Sequence, residues 1–281
     1  MFPNGYWIFP VVSLVLCSIG FYRFVWFMSV GYGFSVAGIG IAMFMMSLVR
    51  GQFGIPFTVL CALCVIYGLR LGLFLFLREA KNAKYREKMR EAGGDMKVPV
   101  FAAVIMWFFC GTIYVFQSSG AVYRLLNNSG TNAALIVGIV ISAAGIVIEA
   151  LADRQKSEAK EKNPGMPAMH GLYRMCRCPN YFGEILFWTG LLVSGIGAVS
   201  GLQWIPAVIG YVEIVSVMLS GAKRVETRHI RHYGRSAEYN AYADKTPLLF
   251  PLIPIYHATN EAKIAAEEAA KKAKAEKRKK K

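Results

Sequence analysis

Seven apolar stretches of membrane-spanning length account for most of this 281-residue chain. They run roughly 6–22, 25–48, 54–77, 98–118, 133–151, 182–200 and 203–221. A hydrocarbon core of about 30 Å takes roughly 20 residues of α-helix. The apolar residues come in runs rather than in periodic stripes. At 55% hydrophobic and a mean hydropathy of +0.40, the chain is too apolar for a soluble domain of its size. The expected fold is therefore all-α: a polytopic membrane helical bundle of about seven transmembrane helices over residues 1–257, then a basic charged tail over 258–281. No room is left for a separate soluble domain. The start Met1-Phe2-Pro3-Asn4-Gly5 has no basic n-region, and no small-residue cleavage site stands out, so the first stretch is expected to stay as a helix.

The net charge of +15 raises the question of nucleic acid. Its distribution answers in favour of a membrane. Arg78, Lys81, Lys84, Arg86, Lys88, Arg90 and Lys97 lie between the third and fourth stretches, and the segments 153–177 and 223–245 are likewise basic. The segment 118–132 holds only Arg124. The positive-inside rule then predicts an outside N-terminus and a cytoplasmic C-terminus, and no nucleic acid is expected as a partner. Asn127-Asn128-Ser129 is a glycosylation sequon on the non-cytoplasmic side. The tail Asn260–Lys281 reads as a solvated helix of Ala, Glu and Lys suited to anionic headgroups. Lys277 and Lys279 also match the spacing of dilysine retrieval signals, which predicts an endoplasmic reticulum membrane if the source is eukaryotic.

Six cysteines are scattered along the chain. Cys17, Cys61, Cys64 and Cys110 fall inside apolar stretches and read as small buried residues. Cys176 and Cys178 flank Arg177 without a companion Cys or His pair, so no metal site is expected.

Ionisable residues inside spans are costly and mark functional sites by default. Here they are Arg70, Glu149, Glu184 and Glu213, with Asp153 one turn after Glu149. The segment from Gly171 to Glu184 adds Tyr173, Arg174, Arg177, Asn180 and Tyr181 at the mouth of the sixth stretch. Interhelical ion pairs such as Arg70 with Glu149 would explain some of these groups; together they describe a polar cavity open to the cytosol. Asn180 and Glu184, four residues apart, share a helix face and suit a carboxamide or an adenine edge. Arg174, Arg177, Lys223, Arg224 and Arg228 suit phosphates. No glycine-rich dinucleotide fingerprint is present, so a dinucleotide would be held by helix ends and loops.

Gly171-Leu172-Tyr173-Arg174, followed by Pro179-Asn180-Tyr181-Phe182-Gly183-Glu184, resembles the C-terminal motif of the steroid 5-alpha-reductase family, closest to its DUF1295 branch of multi-pass membrane proteins. The segment Ile148–Lys156 resembles the family's end of span five, and Tyr239–Thr246 with Pro251 its closing motif; the resemblance is specific over about 145–254. It implies a seven-helix bundle, NADPH bound from the cytosolic side, and reduction of a carbon–carbon double bond conjugated to a carbonyl. Tyr67 and Arg70 match the spacing of the family's catalytic tyrosine and a nearby arginine. The resemblance implies that Tyr67 and Arg70 are catalytic, Tyr67 serving the developing enolate and Arg70 holding Tyr67 or a phosphate, and that Asp153, Arg174, Asn180, Tyr181, Glu184, Arg224 and Tyr242 hold the cofactor. Two departures stand out. Arg177-Cys178-Pro179-Asn180 replaces the branch's Arg-His-Pro-Asn, and residues 1–78 contain no acid to grip a 3-oxo-steroid.

Two rival readings remain at this level. Isoprenylcysteine and phospholipid methyltransferases share a related pattern, which Glu226, Tyr233-Gly234 and Glu238-Tyr239 also fit. S-adenosylmethionine would then replace NADPH, but the missing histidine argues against it. A non-catalytic lipid-binding protein could keep the same fold. The expected partners are the lipid bilayer and a hydrophobic small-molecule substrate, with sterol, enoyl thioester and polyprenyl chain all open, as is the oligomeric state.

Overall fold

The structure is a computed structural model that describes residues 1–81 and 98–258, with side chains for 1–77 and 98–258. The basic side chains of 78–97, the tail Asn260–Lys281 and its Lys277/Lys279 pair lie outside the described residues. Among the described residues the secondary structure is helical throughout. The α-helices are α1 (Ile8–Cys17), α2 (Val30–Val49), α3 (Ile55–Lys81), α4 (Val100–Gln117), α5 (Ser119–Leu126), α6 (Ala133–Lys162), α7 (Pro179–Ser194), α8 (Trp204–Tyr233) and α9 (Ala237–Ala243).

Five of these, α2, α3, α4, α6 and α8, are long and apolar enough to cross a membrane. The chain is an all-helical membrane protein. Two of the seven expected stretches are shorter as helices. The first is α1, of 10 residues, followed by 3-10 turns at Ser18–Phe21 and Phe24–Met28. The sixth is α7, of 16 residues, about 24 Å at 1.5 Å per residue. It stops where Gly195-Ile196-Gly197 follows, with Gly197 at a φ of +75°, a backbone conformation that an L side chain rarely adopts. By contrast α6 and α8 run well past their apolar stretches, and their last turns carry the charged residues.

The chain divides into two compact units, and α6, α7 and α8 each contribute to both. The first comprises Met1–Ala144 and Leu186–Ile214. Within it α2 and α3 cross at backbone contact. A Cβ built on Gly68 would lie 2.4 Å from the Gly33 carbonyl oxygen, and one on Gly33 would lie 2.5 Å from the Gly72 nitrogen. Small residues let membrane helices approach this closely, which gives dispersion contact where no hydrophobic force separates helix from lipid.

Arg124, alone among bases in its segment, closes the other end of this unit. Its Nε donates to the Ser194 carbonyl (2.7 Å), Nη1 to that of Gly130 (2.6 Å), and Nη2 to Asn132 Oδ1 (2.9 Å) and the Ile196 carbonyl (3.2 Å). It is buried and satisfies the carbonyls left at the end of α7. Beside it the sequon asparagine is engaged. Asn127 Nδ2 donates to the Ala198 carbonyl (2.8 Å) and to Gln203 Oε1 (2.6 Å), while its Oδ1 accepts from Gln203 Nε2 (3.1 Å). Glycosyl transfer needs that amide nitrogen free. Expression in a glycosylating host is expected to leave Asn127 unmodified, and an endoglycosidase mobility shift abolished by Asn127→Gln would contradict this.

The second unit comprises Gly145–Ile185 and Val215–Lys281. Its small core joins Ala152 of α6 to Ala168 and Tyr173 of the following loop. The head of α7 presses on α6 at Gly183, where an added Cβ would lie 2.7 Å from both the Glu149 nitrogen and the Gly145 carbonyl oxygen. Phe182 meets Phe250 edge-on, with ring centroids 6.3 Å apart.

Candidate functional site

The motif segment enters α7 through a 3-10 turn, Gly171–Arg174. Gly171 sits at a φ of +62° against the Gln155 side chain, whose Oε1 accepts the Leu172 amide at 2.9 Å. Tyr173 is buried and donates to the Ala152 carbonyl (3.3 Å), and its own carbonyl accepts the Tyr242 hydroxyl (2.7 Å). Pro179 opens α7, a position where its missing N–H costs nothing.

Arg177 is the knot of this unit. Its amide donates to the Pro247 carbonyl (2.8 Å), and its Nη2 to Glu226 Oε1 of α8 (2.9 Å) and to the Tyr256 carbonyl. Both side chains of the Arg177–Glu226 pair are almost fully buried, 3% and 0% exposed. Glu226 Oε2 accepts the Ala258 amide at 2.9 Å. His257 lies 3.5 Å from Glu226 Oε1 and 3.0 Å from Asp244 Oδ1. One buried carboxylate therefore fastens the closing segment 244–258 to the motif arginine.

A cavity of about 30 Å³ opens beside it, lined by Lys156 and Lys160 of α6, by Tyr173, Arg177 and Asn180, and by His229 of α8. By the measure in which one water takes about 10–15 Å³, this is room for about two waters. The surroundings are strongly cationic. His229 lies on the polar extension of α8, beyond the apolar stretch. Burial, followed by Arg228, Lys156, Arg177 and Lys160, pushes its imidazole down to about 3, so the ring is neutral at physiological pH. Burial pushes the Cys178 thiol up to about 11, with Lys156 and Arg177 pulling the other way, and burial likewise raises Cys176 to about 12. Neither forms a reactive thiolate at neutral pH.

The residues singled out from sequence fall into groups. In the second unit Asn180 lines the cavity, and Glu184, one turn on along α7, is buried. Tyr181 packs its ring on Gly221 of α8, where an added Cβ would lie 3.0 Å from it. Asp153 is half-buried on α6, close enough to raise the Tyr173 phenol after burial has done so. Tyr242 is committed to the Tyr173 carbonyl. Arg174 and Arg224 are exposed and stand apart from the cavity lining. Lys156, Lys160 and His229 take that place. Their signal in the sequence was the i, i+4 spacing of the two lysines on a helix that continues past its apolar stretch.

Tyr67 and Arg70 belong to the first unit. Tyr67 is fully buried, stacked on Phe187 with ring centroids 3.9 Å apart. Its hydroxyl lies 3.1 Å from that of Tyr32, which accepts from Trp188 Nε1 at 2.7 Å. Indole nitrogen can only donate, so Trp188 polarises the Tyr32 hydroxyl beside Tyr67. Arg70 follows one turn along α3, half-buried. Sequence reasoning missed Tyr32 and Trp188, because nothing local marks residues that meet across 156 positions.

An all-helical fold with several apolar spans defines an integral, multi-pass membrane protein, and this one carries a small cationic cavity between residues of α6, α8 and the segment that enters α7. The chain belongs to the DUF1295 family, a protein family of unknown function, whose profile matches residues 21–246. No curated protein and no solved structure matches it significantly.

Proposed function

We propose that this protein is a membrane-embedded NADPH-dependent reductase of a conjugated C=C bond in a lipid or sterol-like substrate. The observation that carries the reading is the cationic cavity beside Asn180, at the segment that resembles the steroid 5-alpha-reductase motif. The residues present suit a phosphorylated cofactor. Arg177 keeps a buried Nε donor without a hydrogen-bond partner, and Asn180 offers both donor and acceptor to a carboxamide or base edge. NADPH, when bound, supplies the hydride.

The chain's own residues do the rest. Asn180, Glu184, Asp153 and Tyr181 bind and orient the cofactor, with Arg174 and Arg224 at the exposed rim. Tyr67 donates its phenolic hydrogen to the oxygen on which enolate charge develops, which is the main electrostatic demand of the reaction. Tyr32 and Trp188 hold that phenol in place, and the packed aromatic rings around it exclude water.

Cofactor binding by the detergent-purified full chain tests the reading, with NADPH fluorescence as the signal and S-adenosylmethionine as the rival ligand. NADPH is expected to bind, and Asn180→Ala/Glu184→Gln to weaken it by about tenfold or more, since hydrogen bonds to charged groups contribute about 1.5–3 kcal/mol each. The unliganded melting midpoint of the variant separates lost contacts from lost folding. Binding of S-adenosylmethionine alone would transfer the protein to the methyltransferases, and binding of neither would leave a non-catalytic lipid-binding protein.

A further inference from the structure

We propose that the cavity between Lys156, Lys160, Arg177 and His229 is a receptor for one phosphate monoester, a terminal dianionic group rather than a bridging diester. The site belongs to the cofactor region described above, but the proposal concerns the group it takes and holds for a monoester on a nucleotide or on a lipid.

Three features of the cavity select that chemistry. Its volume of about 30 Å³ is small and suits one compact head group. Its charge is positive from two sides. Lys156 and Lys160 lie one turn apart on the same face of α6, and Arg177, in the segment just before α7, lines the cavity with them. The Lys160 ammonium already donates to two neutral oxygens, the Tyr233 hydroxyl at 2.5 Å and the Pro164 carbonyl at 3.1 Å, and lies over the Tyr233 ring. Its charge is therefore held in place while its anionic demand is left to a ligand. A monoester carries about −1.5 to −2 at neutral pH and three acceptor oxygens, whereas a diester carries a single charge.

The third feature is an unsatisfied donor. Arg177 is 5% exposed and its Nε has no hydrogen-bond partner. Tyr239 lies beside the guanidinium, close enough for a hydrogen bond to it to act on the phenol, and its hydroxyl is also buried. Leaving a buried donor poorly satisfied costs about 1–3 kcal/mol, so the Arg177 Nε edge is suited to receive an acceptor. Glu226 Oε1 accepts from Nη2 of the guanidinium, while Nε has no hydrogen-bond partner. His229, held neutral by burial and by the surrounding cations, adds no competing proton.

The test is a set of calorimetric titrations of the full chain in detergent. The probes are inorganic phosphate, 2′-AMP against adenosine, and phosphatidic acid against phosphatidylcholine in mixed micelles. Wild type, Lys156→Gln/Lys160→Gln and the control Lys162→Gln are compared. Lys162 is exposed on the same helix and stands outside the cavity, so it removes one charge from that helix, against two in the double variant and one in Lys160→Gln, without touching the site. Phosphate and at least one monoester are expected to bind wild type and the control, and to bind the double variant at least about tenfold more weakly. Preference for 2′-AMP over adenosine assigns the monoester to a nucleotide, and preference for phosphatidic acid assigns it to a lipid.

Binding of no monoester, or equal loss in Lys162→Gln, overturns the proposal. Unfolding of the double variant is read from its unliganded midpoint, and Lys160→Gln alone then takes its place. The outcomes also separate this site from the reductase reading. Monoester binding without NADPH binding leaves the site standing and removes the reductase. NADPH bound no more tightly than NADH, with no phosphate binding, does the reverse.

Discussion

Replacing Glu226 by alanine is expected to destabilise the protein by about 3–5 kcal/mol, the cost of removing one partner from a buried ion pair. The size follows from what Glu226 holds. Its carboxylate meets the Arg177 guanidinium at 2.9 Å and the Ala258 amide at 2.9 Å, with no exposure of the side chain. Alanine strands a guanidinium that cannot lose its proton, so the charge has no escape except local unfolding or water entry. It also unties the segment 244–258 from α8, since Ala258 and His257 both reach the same carboxylate. Thermal unfolding in detergent should show a fall on the order of 10 °C. The double change Arg177→Leu/Glu226→Leu should be less costly than either single change, because no charge is then left buried without its partner. A Glu226→Ala midpoint within 1–2 °C of wild type would mean that the knot contributes nothing.

Gly68→Val is expected to damage the first unit severely. An added Cβ lies 2.4 Å from the Gly33 carbonyl oxygen, 2.5 Å from the Ala37 nitrogen and 2.9 Å from the Ala37 Cβ. Two of these neighbours are backbone, so no rotamer change relieves the clash and the two helices must separate. Overpacking a core costs about 1–3 kcal/mol when side chains can adjust, and backbone neighbours put this site at or above the top of that range. The consequence reaches the proposed site. Tyr32 and Tyr67 are the residues just before Gly33 and Gly68, and their hydroxyls meet at 3.1 Å because the glycines let α2 and α3 touch. Trp188 reports on this directly, since its indole donates to Tyr32. The expected result is low yield of folded protein in detergent and, in what survives, a shifted Trp emission. Gly54→Val is the matched control, with nothing within 4 Å of its Cβ. Equal yield from Gly68→Val and Gly54→Val would show that the crossing tolerates a side chain.

The membrane class was legible because hydrophobicity is additive along the chain. Runs such as 133–151 and 203–221 announce spans whatever they pack against. Where those helices end was not legible. Composition places the end of a helix at the end of its apolar run, yet α6 and α8 continue through charged residues to Lys162 and Tyr233. The extra turns of α6 pack within the second unit around Ala152, Ala168 and Tyr173, and those of α8 carry Glu226, which pairs with Arg177. The shortness of α7 has the opposite cause, a glycine at positive φ that ends the helix inside an apolar run.

The motif at Gly171–Glu184 could be found by its polar residues alone, and Asn180 does line the cavity. The partition among its cations could not. Arg174, Arg177, Arg224, Lys156 and Lys160 are all plausible phosphate contacts in one dimension, because spacing says nothing about which side chains converge. Tertiary structure buries Arg177, half-buries Lys156 and brings the exposed Lys160 to the cavity rim, while Arg174 and Arg224 stand away from its lining. The sequence alone determined that this chain is built for a membrane and where its polar motif lies, since both depend on local composition. Only the fold decided which charges meet, because burial and pairing are set by contacts between residues distant in sequence, such as Arg177 with Glu226 and Tyr32 with Trp188.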